Sequence, residues 1–208
     1  MIDQDELFQV LEKHRGDAVV FAVFRAAKHW LDVSKNPKRD MPIGTLGFPF
    51  VMGKASSFAL GISLAQPNVK FFLLDGDGSV LMNLGSLITI ADKAPKNLYH
   101  FVMENGVYAT TGGQDIPGRG NTSIEKMGKA AGYAHTYHFS DLESFSNSIG
   151  NVLQQEGPVL ICTDVVPDNM TPEEHVPAPK VPEVGLVPPP DTRKLILDNL
   201  RREFGLIN

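Results

Sequence analysis

Two apolar runs, each stopped by a polar, glycine-bearing turn, constrain this chain more than any other feature. Residues 69–74 read as a buried strand that ends at Asp75-Gly76-Asp77-Gly78-Ser79, after which a helical pattern begins. Residues 98–103 read as the next strand and end at Glu104-Asn105-Gly106-Val107-Tyr108. In a parallel sheet the ends of neighbouring strands lie side by side, where ligands bind. Asp77 and Asn105, 28 residues apart, can therefore meet. Asp77 offers a carboxylate, Asn105 an amide oxygen, and the turn after it a backbone carbonyl. Mg²⁺ is usually held by one or two such oxygens, with substrate phosphates and water completing its shell. The glycines let the backbone approach a phosphate closely, and a helix opening near Ser79 presents N–H groups to it. The pattern reads as a magnesium diphosphate cradle.

The rest of the chain predicts an α/β fold: an open, mostly parallel sheet with helices on both faces. Asp3, with Glu6 three residues on, predicts a capped helix to about His14, ended by Gly16-Asp17. Residues 18–24 read as a strand and 25–31 as a short helix, with His29 and Trp30 as packing or surface residues. Residues 33–50 read as a loop. Small and apolar residues at helical spacing over 55–65 predict a helix ended by Pro67; Ser56 and Ser57 on it serve either close packing or a cofactor contact. Leu81, Leu84, Leu87, Ile88 and Ala91 predict a helix lying on the sheet. Residues 105–121 hold five glycines and form a loop able to lie over a ligand. Thr122 with Glu125, and Ser140 with Glu143, predict two further capped helices. Residues 133–139 and 158–166 read as strands. His135 and His138 fall on the first of these, far along the chain from the cradle, and read as structural or exposed. No His-rich metal spacing is present.

After Val166 the composition shifts. Eight of the 15 prolines fall between Pro167 and Pro190, which predicts an extended arm, followed by a helix over about 192–204. The domain division expected is 1–166 for the cofactor-binding unit and 167–208 for the arm and terminal helix. The arm either docks on the chain's own core or embraces a second subunit.

A net charge of −5 gives a nucleic-acid surface little support, and no run reaches the roughly 18 apolar residues of a membrane span. The acidic N-terminus lacks the basic start of a secretory signal. Cys162, the single cysteine, lies in an apolar run and reads as a buried thiol. These features predict a cytoplasmic protein without disulfides.

Gly76-Asp77-Gly78-Ser79 followed by Asn105-Gly106 resembles the signature of thiamine diphosphate-dependent enzymes. Met52-Gly53-Lys54-Ala55-Ser56-Ser57, the run from Gly76 to Leu87, and Thr111-Gly112-Gly113-Gln114 narrow the resemblance. They are similar to the beta subunit of sulfopyruvate decarboxylases and the matching domain of phosphonopyruvate decarboxylases, over about residues 15–165. The resemblance implies thiamine diphosphate and Mg²⁺ as cofactors. It implies Asp77, Asn105 and the Val107 carbonyl as metal ligands, with Gly76, Gly78, Ser79 and Tyr108 at the cofactor. Glu104 stands where Asn or Asp is commoner in the family, and its side chain is expected to point away from the metal. A bulky residue wedged under the cofactor would be Met52, with the Phe50 carbonyl accepting from the aminopyrimidine; Leu46 is the alternative wedge. Thr110, Thr111, Gly112, Gly113 and Gln114 are candidate substrate contacts. Arg119 either grips an anionic group or is a solvated loop arginine.

The resemblance also implies what is missing. The glutamate that activates the cofactor belongs to a pyrimidine-binding domain, so no catalytic residue is expected in this chain. A partner alpha subunit would supply it, within a dimer or hetero-oligomer, for a small 2-oxoacid substrate. A carboligase or lyase subunit, or a non-catalytic cofactor-binding subunit, are the alternatives. A dinucleotide site lacks its Gly-x-Gly-x-x-Gly pattern here and leaves Asn105 unexplained. One cysteine argues against an iron–sulfur oxidoreductase of the same superfamily.

Overall fold

β-Branched and aromatic runs build the centre of the computed structural model, which describes residues 1–43, 52–168 and 198. The elements in chain order are α1 (Gln4–His14), β1 (Val19–Val23), α2 (Arg25–Val33), β2 (Asp40–Ile43), α3 (Ala55–Ala65), β3 (Phe71–Gly76), α4 (Asp77–Leu81), α5 (Ser86–Lys93), β4 (Leu98–Glu104), β5 (Val107–Tyr108), β6 (Gln114–Asp115), α6 (Ile124–Ala131), β7 (His135–Phe139), α7 (Leu142–Val152) and β8 (Val159–Asp164). Six strands form one sheet in the order β2-β1-β3-β4-β8-β7. Every pairing in it is parallel. β5 and β6 make a small antiparallel ribbon beside it.

The sheet is covered on both faces, so its central strands are apolar on both sides. One face packs Phe8, Trp30, Phe72, Phe101, Phe145 and Ile149 under α1, α2 and α7. The other packs Phe21, Ala59, Phe71, Leu73, Ile90 and Leu160 under α3, α5 and α6. From β1 the chain first crosses to β2 on one side, then returns to β3 on the other. This reversal between β1 and β3 opens a crevice at their carboxyl ends, the place where open α/β sheets bind ligands.

Several expectations need correction. Residues 33–50 are not all loop: Asp40–Ile43 is the edge strand β2. It carries Pro42, which an edge strand tolerates because one side makes no ladder bonds. The helix predicted after the first turn is two short helices, with Leu84 and Ile88 exposed and Leu87 and Ile90 buried. The caps of α6 and α7 also shift. Ser123, not Thr122, accepts from the Lys126 N–H, while Thr122 donates to the Gly118 carbonyl. Asp141, not Ser140, accepts from the Ser144 N–H. A carboxylate and a hydroxyl lie one residue apart there, and the carboxylate is the stronger acceptor. Asp3 caps α1 as expected, accepting from the Asp5 and Glu6 N–H groups. Apart from Asp198, the expected terminal helix and most of the proline-rich arm lie outside the described residues.

Candidate cofactor site

The site is assembled from the ends of three adjacent strands. β1 contributes Val23 and Phe24, β3 the run from Asp75 to Ser79, and β4 Met103 and Asn105. Met52, Gly76, Asp77, Gly78, Ser79, Asn105, Val107, Tyr108, Thr110 and Thr111 all line this one cleft. Gly112, Gly113 and Gln114 are not on its wall. Gln114 instead turns back on Thr111, its amide donating to the Thr111 carbonyl at 2.8 Å. Phe50 and Leu46 lie outside the described residues.

Asp77 is the hub. It is 2% exposed. Its Oδ1 accepts from the Gly78 N–H and its Oδ2 from the Gly106 N–H, both at 2.7 Å. The second bond joins the two strand-end turns, 29 residues apart. Asn105 is fixed by its own turn, its Oδ1 accepting from the Val107 N–H at 2.9 Å. Burial raises the Asp77 carboxyl above its ordinary value, the backbone N–H groups oppose this, and the nearby Asp75 adds to the rise. A desolvated carboxylate is a costly group. Asp77, the Asn105 amide oxygen and a backbone carbonyl are the hard oxygen donors that Mg²⁺ prefers. The residues present therefore fit a magnesium ion and the phosphates it would bridge.

Two features of the cradle escape sequence reading. Gly53 is clamped to it: its N–H donates to Ser79 Oγ at 3.1 Å, and its carbonyl accepts from Asn83 Nδ2 at 2.8 Å. Gly53 has φ +73°, and a Cβ there would meet Met82 Cβ at 3.0 Å, so only glycine brings Met52 to the cleft without strain. Gly78 lies under Tyr108, whose ring a Cβ would meet at 2.6 Å. The other feature is Phe24, at φ 47° and ψ −113° on the crevice rim. Such a backbone costs on the order of 1–3 kcal/mol and clusters at ligand sites.

The remaining singled-out residues fall as follows. Cys162 is fully buried. Trp30 packs in the core and donates to Asp40. His29 bridges Asp5 and Asp168. Ser56 is buried and bonded to Ser86, while Ser57 is exposed. Arg119 is exposed and paired with Asp115. His138 is exposed, as one of its two readings has it, but it is not remote from the cradle in space. It lies 3.7 Å from Glu104, the residue before Asn105, because parallel pairing puts the carboxyl ends of β4, β8 and β7 on one edge.

Comparison with known proteins agrees with this geometry. The family model described as the thiamine pyrophosphate enzyme, C-terminal TPP binding domain, matches residues 26–163. Sulfopyruvate decarboxylase subunit beta of Methanocaldococcus jannaschii is 39% identical over 118 residues, covering 57% of this chain and 62% of that protein. Phosphonopyruvate decarboxylase of Streptomyces viridochromogenes is 36% identical over 119 residues, covering 57% of this chain but 30% of that protein. Sulfopyruvate decarboxylase subunit beta of Methanococcus maripaludis is 28% identical over 184 residues, covering 88% of this chain and 90% of that protein. The match thus spans under a third of the phosphonopyruvate decarboxylase and under two thirds of the first beta subunit. The thiamine diphosphate-dependent 4-hydroxybenzoylformate decarboxylase of Rhodococcus jostii shares the fold, with a TM-score of 0.63 at 19% identity, over 81% of this chain and 33% of that one. The family model covers more than half of the chain, which therefore belongs to the thiamine pyrophosphate enzymes through their C-terminal, TPP-binding domain.

Proposed function

We propose that this chain is the magnesium and thiamine diphosphate-binding subunit of a 2-oxoacid decarboxylase assembled from two kinds of chain. The observation that carries the reading is the Asp77–Gly106 hydrogen bond, which locks two turns 29 residues apart into one oxygen-rich cradle. Asp77, Asn105 and the Val107 carbonyl would hold the metal. Gly76, Gly78, Ser79 and Tyr108 would face the diphosphate, and Met52, brought to the cleft by Gly53, would support the rings. Thr110 and Thr111, on the cleft wall, are the better placed of the candidate substrate contacts.

Thiamine diphosphate itself supplies the carbanion chemistry of decarboxylation. The residues of this chain bind it, orient it and exclude water from its charged end. The glutamate that activates the cofactor is assigned to a pyrimidine-domain partner. Support comes from the beta-subunit relatives in Methanocaldococcus and Methanococcus, whose names place them in multi-chain enzymes. Residues 1–166 form the cofactor-binding unit in this reading, and 167–208 an appended arm. No described helix is long and apolar enough to cross a membrane.

Calorimetric titration with thiamine diphosphate, with and without Mg²⁺, tests the cradle. Magnesium-dependent binding that disappears in Asp77→Ala is expected. Sulfopyruvate and phosphonopyruvate are then offered to the chain alone and to the chain mixed with a pyrimidine-domain subunit. Decarboxylation only in the mixture is expected. Turnover by the chain alone would overturn the partner assignment. A mixture that binds cofactor tightly but turns over neither acid would favour the carboligase or non-catalytic readings.

A further inference from the structure

Beyond the cradle, three strands end in side chains that converge. Glu104 closes β4 and Asp164 closes β8, and they are partners in the parallel ladder. His138, next to last in β7, is the partner of Cys162. Cys162 and Asp164 are two residues apart on β8, so Glu104, His138 and Asp164 share one face of the sheet. His138 Nε2 lies 2.9 Å from Asp164 Oδ1 and 3.7 Å from Glu104 Oε2. One ligand atom from each residue lies within 4.8 Å of the others.

A His138–Asp164 hydrogen bond explains only part of this. Glu104 remains desolvated beside a second carboxylate, and its Oε1 is shielded from water without a hydrogen bond. An orphaned buried carboxylate oxygen is expensive. The cluster also opens onto a cavity bordered by Thr122, Arg119 and Lys126, with Asp77 and Asn105 on its wall as well, so a solute can reach it.

We propose that Glu104, His138 and Asp164 form a second divalent-cation site, separate from the Asp77–Asn105 cradle and suited to a transition-type ion such as Zn²⁺ or Mn²⁺. The donor set decides the class: imidazole with carboxylates suits Zn and Mn, whereas Mg²⁺ and Ca²⁺ take oxygen. Around a tetrahedral ion with bonds of about 2.0–2.2 Å, ligand atoms stand roughly 3.4 Å apart. The observed 2.9 and 3.7 Å straddle that value. Three protein ligands leave a position for water or a solute. The cluster at His29 shows the contrast. Asp5 and Asp168 take opposite nitrogens of that ring, at 2.6 and 2.7 Å, so they cannot chelate one ion with it. Because Glu104 directly precedes Asn105, an ion here would also fix the backbone that presents Asn105 to the cradle. The site rests on its own residues and stands whether or not the thiamine reading holds.

The test uses Mn²⁺ as the probe, on the tag-free full chain without thiamine diphosphate and on Asp77→Asn, which disables the cradle. Pulsed electron paramagnetic resonance should show nitrogen coupling from a directly bound imidazole in both. Zn²⁺ should displace the signal. His138→Gln should lose the nitrogen coupling and weaken Mn²⁺ binding at least tenfold, with an unchanged circular dichroism spectrum. Mn²⁺ bound without nitrogen coupling, coupling that survives His138→Gln, or no binding at millimolar Mn²⁺ would each overturn the site. None of these outcomes bears on the magnesium-dependent thiamine diphosphate titration.

Discussion

Asp77 sits in a place that disfavours its charge. Its two oxygens are each held by a backbone N–H, yet burial outweighs them and raises its folded pKa above 3.8. The sign follows from linkage. A carboxyl raised in the folded state adds stability fully only below its unfolded midpoint, and that contribution is lost as pH rises through the folded value. Above the folded value the carboxylate is strained until a cation arrives. Carbon-13 NMR of the Asp77 carboxyl in the metal-free chain should therefore give a midpoint above 3.8. Mg²⁺ with thiamine diphosphate should move it down, since the metal and the proton compete for the same oxygens. An ordinary midpoint that does not respond to the metal would mean that Asp77 is not a ligand. Asp77 stood out in the sequence because two separated turns, Gly76-Asp77-Gly78-Ser79 and Asn105-Gly106, each follow an apolar run at a spacing that lets them meet; the first turn alone would be an ordinary strand-to-helix turn. Its bond to the Gly106 N–H was not legible there, since nothing in the local pattern fixes how two distant turns face each other.

At the scale of elements, strands were legible wherever both faces are buried. β1, β3, β4 and β8 announce themselves as apolar runs. β2 did not, because an edge strand of Asp-Met-Pro-Ile carries little periodicity. What holds β2 in place is a buried polar knot. Arg15, 3% exposed at the end of α1, donates to the Ala18 carbonyl, Ser34 Oγ and Asp40 Oδ1. Trp30 Nε1 donates to the same carboxylate oxygen at 2.9 Å. The Arg15 guanidinium lies over the Trp30 ring, 5.3 Å from its centroid. One arginine thus joins α1, α2 and β2. Removing it strands the Asp40 carboxylate, whose side chain is 2% exposed. Arg15→Ala should cost about 3–5 kcal/mol in urea denaturation, the range for breaking a buried pair. Adding Asp40→Asn should recover part of that loss, because it removes the unpaired charge while keeping an acceptor for Trp30. A loss below about 1 kcal/mol would place the pair among surface bridges.

Across the whole molecule, the core and the cofactor cleft are built from different material. The two apolar layers close on the sheet and meet the cleft at its floor, through Val23, Phe24, Ala26 and Met103. The cleft itself is made of strand-end turns and of Val107, Tyr108, Thr110 and Thr111, in the stretch after Asn105 where Gly106, Gly112, Gly113, Gly118 and Gly120 all have positive φ. The sheet should therefore fold without cofactor, and binding should add stability by mass action. At a hundredfold excess over the dissociation constant the gain is about 2.7 kcal/mol. For a chain of this length each kcal/mol moves the midpoint by roughly 2–4 °C, so a rise of about 5–10 °C is expected in thermal melts. Mg²⁺ or thiamine diphosphate alone should give less than the pair, because each fills only part of the cradle. Asp77→Ala should melt close to the unliganded chain and show no rise. If a titration calorimeter records saturation while the melting temperature stays fixed, the cofactor must bind the unfolded chain equally well, and the separation of core from cleft drawn here would be wrong.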